Sequence, residues 1–93
     1  GILDGSRKAG SGLKPVWNTW DKKGRKVYID EIRWYISDTP LGDWKQIEGA
    51  DRLTYTIKNE DVGKYIKCEL YGVIPEGIKL IRLDPAQSDV TGI

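Results

Sequence analysis

Few side chains in this sequence are equipped for chemistry, and their spacing points away from catalysis. Histidine, the commonest general base and metal ligand near neutral pH, does not occur among the 93 residues. The one cysteine, Cys68, lies within an alternating run and shares the parity of Ile66 and Leu70. It is therefore expected to be a small buried hydrophobe, not a nucleophile. Carboxylates are paired near turns, Asp38 with Asp43 and Glu48 with Asp51, but without the D-x-D-x-D-G spacing that wraps oxygen ligands around calcium. There is no glycine-rich phosphate cradle, G-x-S-x-G elbow or Cys/His spacing for zinc. No enzyme activity, cofactor or metal is expected.

What remains is binding chemistry. Lys22, Lys23, Arg25 and Lys26 place four cations in five positions of a polar turn, a composition able to hold phosphate or an acidic glycan. The plainer reading is a solvated loop. Trp17 and Tyr35 have the parity opposite to the expected core residues, and Trp44 stands in a short strand near an edge. These three aromatics are candidate stacking surfaces for sugar rings, with packing over a sheet edge as the alternative.

The elements that must position these residues are strands. Around residues 53–70, Leu53, Tyr55 and Ile57 alternate with Thr54, Thr56 and Lys58, and Ile66, Cys68 and Leu70 repeat the pattern. Between them Asn59-Glu60-Asp61-Val62-Gly63 predicts one helical turn closed by a glycine of positive φ, with Tyr65 just beyond. A chain crossing from one sheet to another has this form. The run 27–37 predicts a strand with Ile32, Trp34 and Ile36 on one face and Glu31, Arg33, Tyr35 and Ser37 on the other, which makes Trp34 the central core residue.

Further strands are expected at 13–20, with Pro15 at an edge or bulge, at 44–48, and from 64 to about 73. A loop at 74–77 then leads to a last strand at 78–83. Ile78 and Leu80 share one side of it while Ile81 and Leu83 share the other, which implies a bulge in preference to a face against a neighbouring domain. Composition reads 1–12 as linker with a short edge strand.

The length sets one domain, which buries roughly 60 to 65% of its unfolded surface. The net charge of +1 supplies no overall field for nucleic acid or an anionic membrane. No apolar run reaches the roughly 18 residues of a spanning helix, so no membrane insertion is expected. A lone cysteine cannot form a disulfide within the chain. Gly1 in place of methionine suggests a fragment whose secretion and anchoring signals lie elsewhere.

The motif Asp61-Val62-Gly63-Lys64-Tyr65 resembles the corner between strands E and F of immunoglobulin-like sandwiches, where a tyrosine hydroxyl bonds back to upstream backbone. The match departs at the cysteine, which follows Tyr65 by three residues where antibody-type domains place it two residues on. A closer resemblance is to the tandem immunoglobulin-like repeats of bacterial surface and phage virion proteins. It is carried by Trp34-Tyr35-Ile36-Ser37, by Trp44-Lys45-Gln46-Ile47-Glu48-Gly49-Ala50, by Thr54-Tyr55-Thr56 and by residues 61–66. Gly5, Lys8, Gly10, Leu13 and Trp20 extend it to the first residues, so 1–12 count as strand A and its turn.

The resemblance implies an all-β, immunoglobulin-like two-sheet sandwich of about seven strands in Greek-key order, spanning 1–93, with 86–93 as an exit segment toward a next domain. It also implies a noncatalytic spacer or display module, outside the cell on a bacterial surface or virion, with weak adhesion to a host glycan or protein. A dedicated carbohydrate- or protein-recognition module is the alternative. Similar repeats in plant and protist microtubule-associated proteins give a further, intracellular alternative. The partners expected are neighbouring domains of the parent protein and a host surface, not nucleic acid.

Overall fold

The computed structural model describes residues 2–93 as two facing β-sheets with a single 3₁₀ turn at Asn59–Asp61. The smaller sheet holds β1 (Leu3–Asp4), β2 (Gly12–Pro15) and β5 (Tyr55–Thr56), in the order β1-β2-β5. The larger sheet runs β4 (Lys45–Gln46), β3 (Tyr28–Ser37), β6 (Tyr65–Glu76) and β7 (Lys79–Arg82). Two further strands, β8 (Ala86–Gln87) and β9 (Thr91–Gly92), continue along β6. All pairings are antiparallel.

Alternation explains the two long strands. On β3, Ile32 and Trp34 are buried while Arg33 and Tyr35 face outward; on β6, Ile66, Cys68 and Leu70 are buried while Lys67, Glu69 and Tyr71 stay part-exposed. Each strand therefore has one face fit for a core and one fit for water. Leu3, Leu13, Tyr55 and Ile57 complete the core from the other layer.

Trp34 lies at its centre with no exposed surface, its indole N–H donating to the Arg52 carbonyl at 2.8 Å. Its ring tilts over Tyr55, centroids 5.5 Å apart. That bond satisfies the one polar atom of a large apolar side chain, which is what lets tryptophan be fully buried.

Several boundaries differ from the sequence expectation, each for a local reason. The strand expected at 13–20 ends at Pro15, and Trp20 pairs instead with Lys26 across a separate tight turn that leaves its ring exposed. Leu53 is exposed because the strand before the corner begins only at Tyr55, so alternation does not extend back to it. The loop expected at 74–77 is strand: β6 reaches Glu76 and turns at Gly77-Ile78. Pro75 is tolerated there because β3 pairs with β6 only up to Val73, leaving that edge free of a ladder that needs its missing N–H.

The last strand is in three pieces. Its register against β6 slips by one residue between Val73↔Arg82 and Leu70↔Ala86, and again between Glu69↔Gln87 and Ile66↔Thr91. Each slip is a bulge that turns the strand's alternation over, but both lie beyond 78–83, where a bulge is expected from the sequence and where the pairing with β6 instead keeps one register and leaves Ile78 and Leu80 exposed. The segment 86–93, expected as an exit, lies on β6 as part of the sheet, and Ile93 packs on the core.

The molecule measures 45 × 24 × 22 Å, its long axis close to β6, whose 12 residues span about 40 Å. The smaller sheet covers only the half nearer Tyr65. Beyond it the β6–β7 hairpin is flanked by the 20–26 turn, which Arg25 ties to Glu76.

Candidate functional site

Two regions gather the residues that sequence reasoning singled out for binding, and they lie apart. The first is the outer face of the larger sheet. Antiparallel register sets Tyr35 opposite Lys67 and Arg33 opposite Glu69, so cations, aromatics and a carboxylate interleave on one surface. Lys67 Nζ stands 4.8 Å from the Trp44 ring centre and 5.7 Å from that of Tyr35. One ammonium thus bridges two of the three candidate aromatics, each half-buried.

Next along the face, Glu69 accepts from the hydroxyls of Tyr35, at 3.3 Å, and Tyr71, and from the Gln87 amide. Against the opposing effect of partial burial, these donors hold its carboxyl below the ordinary range. Arg33 lies 4.9 Å over the Tyr71 ring and pairs with Glu31 at 2.5 Å. Arg33 and Glu31 pair with each other and Glu69 is held by neutral donors, so among the described residues Lys67 presents an ammonium over two rings with no carboxylate partner, and the surface can stack against a flat partner. Tyr71, Glu69 and Lys67 were not singled out by the sequence reading. Their parity opposite Ile66 and Cys68, in register with Tyr35, is the signal that would have found them.

The second region is the basic turn. Arg25 is not available for a ligand: Nε binds Asp21 Oδ2 at 2.8 Å and Nη1 binds Glu76 Oε2 at 2.6 Å. The backbone N–H of Arg25 also donates to Asp21 Oδ1 at 2.7 Å, the first of several contacts that hold the Asp21 carboxyl below its ordinary range. Lys26 leans over the Tyr28 ring at 5.3 Å, and Lys22 and Lys23 are exposed. The four cations are therefore split between a clasp, an aromatic contact and solvent, and do not converge.

Trp17 belongs to neither region. It packs against the core beside Leu70, Ala86 and Ser88, lining a cavity of about 240 Å³, and its indole N–H is buried with no partner among the described residues.

The remaining residues of interest are structural. Asp61, buried, accepts at Oδ2 from the Tyr55 hydroxyl at 2.6 Å and from the Lys58 N–H at 2.9 Å. The corner's tyrosine bond is thus made by Tyr55, before the bend, and not by Tyr65, which opens β6 and packs its ring beside Gly92. Gly63 has φ 87°, the left-handed conformation its place in the bend requires. Cys68 is fully buried, and that burial pushes its thiol pKa up. Asp38 lies 3.8 Å from Lys64, and among the described residues no three acidic or thiol groups are gathered as a metal site.

Comparisons with protein-family models, with curated proteins and with solved structures found no match for this chain.

Proposed function

We propose that this chain is a noncatalytic immunoglobulin-like module of a larger bacterial-surface or virion protein, a spacer and display domain outside the cell with weak adhesion to a host surface. The observation that carries the reading is the direction of the end strands. β1 runs antiparallel to β2 and β9 antiparallel to β6, so both head along the long axis toward the Tyr65 end. A polypeptide passing through such a module keeps its direction and gains length. The strand orders β1-β2-β5 and β4-β3-β6-β7 support the immunoglobulin-like assignment, as they correspond to A-B-E and C′-C-F-G.

The test is small-angle scattering on one, two and three copies joined in series. The spacer reading expects the maximum dimension to grow steadily with each added copy beyond the 45 Å of one module. Copies that fold back on one another, leaving that dimension nearly unchanged, would refute it.

A second reading, a dedicated carbohydrate- or protein-recognition module, is favoured by Tyr35 and Trp44 flanking Lys67 on an outer face. A glycan array probed with the native chain and with Trp44→Ala separates the two. Signals that vanish in the variant support recognition.

A further inference from the structure

Two turns lie side by side at the end of the molecule where β6 passes into β7. One is Gly77-Ile78, closed by the pair Glu76↔Lys79; the other is Lys22-Lys23-Gly24, closed by the Asp21 N–H donating to the Arg25 carbonyl at 2.9 Å. Arg25 clasps them together through Asp21 and Glu76. The clasp occupies both carboxylates next to the turns. Lys22, Lys23 and Lys79 are left exposed, with no ion-pair partner among the described residues.

Within this basic rim the apolar surface is unusual. Ile78 presents its whole side chain to water, and Leu80, Trp20 and Tyr28 are each about half exposed. The position Ile78 occupies in a two-residue turn suits a polar residue equally well, so nothing in the fold accounts for an isoleucine there.

We propose that this end of the molecule docks on the surface of an anionic phospholipid bilayer, Ile78 entering the acyl boundary while Lys22, Lys23 and Lys79 meet the headgroups. The contact is peripheral and the chain does not cross. A polyanion such as an acidic glycan answers the lysines but gains nothing from a fully exposed isoleucine, whereas a bilayer rewards both. Tryptophan and tyrosine are the residues that favour the headgroup boundary, and lysine stems lie along apolar surface while their ammonium groups stay wet. Each lysine contributes about fivefold to partitioning onto an anionic surface, which makes the contact weak and reversible. The proposal does not rest on the spacer role, since the joined-copy scattering and vesicle binding read different properties.

The experiment is co-sedimentation of the native chain with vesicles of phosphatidylcholine alone and with about one-third phosphatidylserine, at about 0.1 M and about 1 M salt. Binding to the anionic vesicles at low salt is expected, at least tenfold weaker on neutral vesicles or at high salt. Ile78→Asp and the milder Ile78→Ser should each weaken it several-fold. Lys22→Glu with Lys23→Glu should weaken it about 25-fold or more. Leu41→Asp, a nearly fully exposed site at the opposite end, should leave it unchanged. The proposal is overturned by absence of binding, by equal affinity for neutral vesicles, or by both Ile78 variants binding as tightly as the native chain. It is also overturned by binding to heparin that matches the vesicles and ignores Ile78, because the rim would then be a simple polyanion site.

Discussion

Tyr55 and Asp61 meet across the bend that carries the chain from the smaller sheet to the larger, the hydroxyl donating to the buried carboxylate at 2.6 Å. Burial, and then this bond, raise the Tyr55 hydroxyl pKa well above its ordinary value. The fold thus favours the neutral phenol. Its contribution is fully present below about pH 10, where the unfolded tyrosine titrates, and drains away as pH rises beyond that. Urea unfolding across pH should show stability falling steeply above about pH 10. Tyr55→Phe should cost about 1–3 kcal/mol at neutral pH, because Asp61 loses a donor, and should flatten the alkaline limb. An unchanged alkaline slope in the variant would refute this assignment.

Two tryptophans with opposite polar accounts give a paired prediction. The Trp34 indole N–H is bonded to the Arg52 carbonyl, whereas that of Trp17 is buried with no partner among the described residues. Exchanging each for phenylalanine removes a satisfied donor in one case and an orphan in the other. Trp34→Phe should therefore cost clearly more than Trp17→Phe in denaturant midpoint, and Trp34→Ala about 3–5 kcal/mol. The reverse ranking would count against the hydrogen-bond argument.

A third test concerns backbone approach. A Cβ built on Gly5, which has φ 126°, would lie 2.2 Å from the carbonyl oxygen of Gly12, and a backbone atom cannot swing aside as a side chain can. Gly5→Ala should destabilise by about 1–3 kcal/mol and loosen the β1–β2 pairing. Faster amide exchange at Val16, whose N–H bonds to the Ile2 carbonyl, is the local readout.

Cys68 supplies a fourth. Fully buried and with its thiol pKa pushed up, it should resist an aromatic disulfide reagent in the native protein. Labelling should proceed at the rate of unfolding and become fast in denaturant. Rapid labelling of the folded chain would place the thiol at the surface.

Legibility in the sequence followed periodicity. Alternation is regular from Ile32 to Tyr35 on β3 and from Tyr65 to Tyr71 on β6, so the burial of Trp34, Ile66 and Cys68 and the outward parity of Tyr35 could be read directly, whereas Ser37, expected outward, is buried. The short strands could not be bounded this way. A two-residue strand such as Tyr55–Thr56 is set by pairing with β2, which no local pattern reports, and Leu53 was misplaced for that reason. No bulge accounts for the mixed parity of Ile78, Leu80, Ile81 and Leu83: that stretch pairs with β6 in one register, and Ile78 and Leu80 stand exposed on one of its faces. Least legible was the basic turn: four cations in five positions give no hint that Arg25 is drawn off by Glu76, 51 residues away.

The shared heading of β1 and β9 bears on what happens under tension. A force drawing the two ends apart pulls each end strand lengthwise past its antiparallel partner, so the bonds of a ladder must yield together and cannot peel one at a time. The grip is uneven, since β1 holds by two residue pairs while the last strand is fastened to β6 at three places. A stretched chain should give way first at the Leu3–Pro15 seam, paying out a short tether while Trp34 and the larger sheet stay intact.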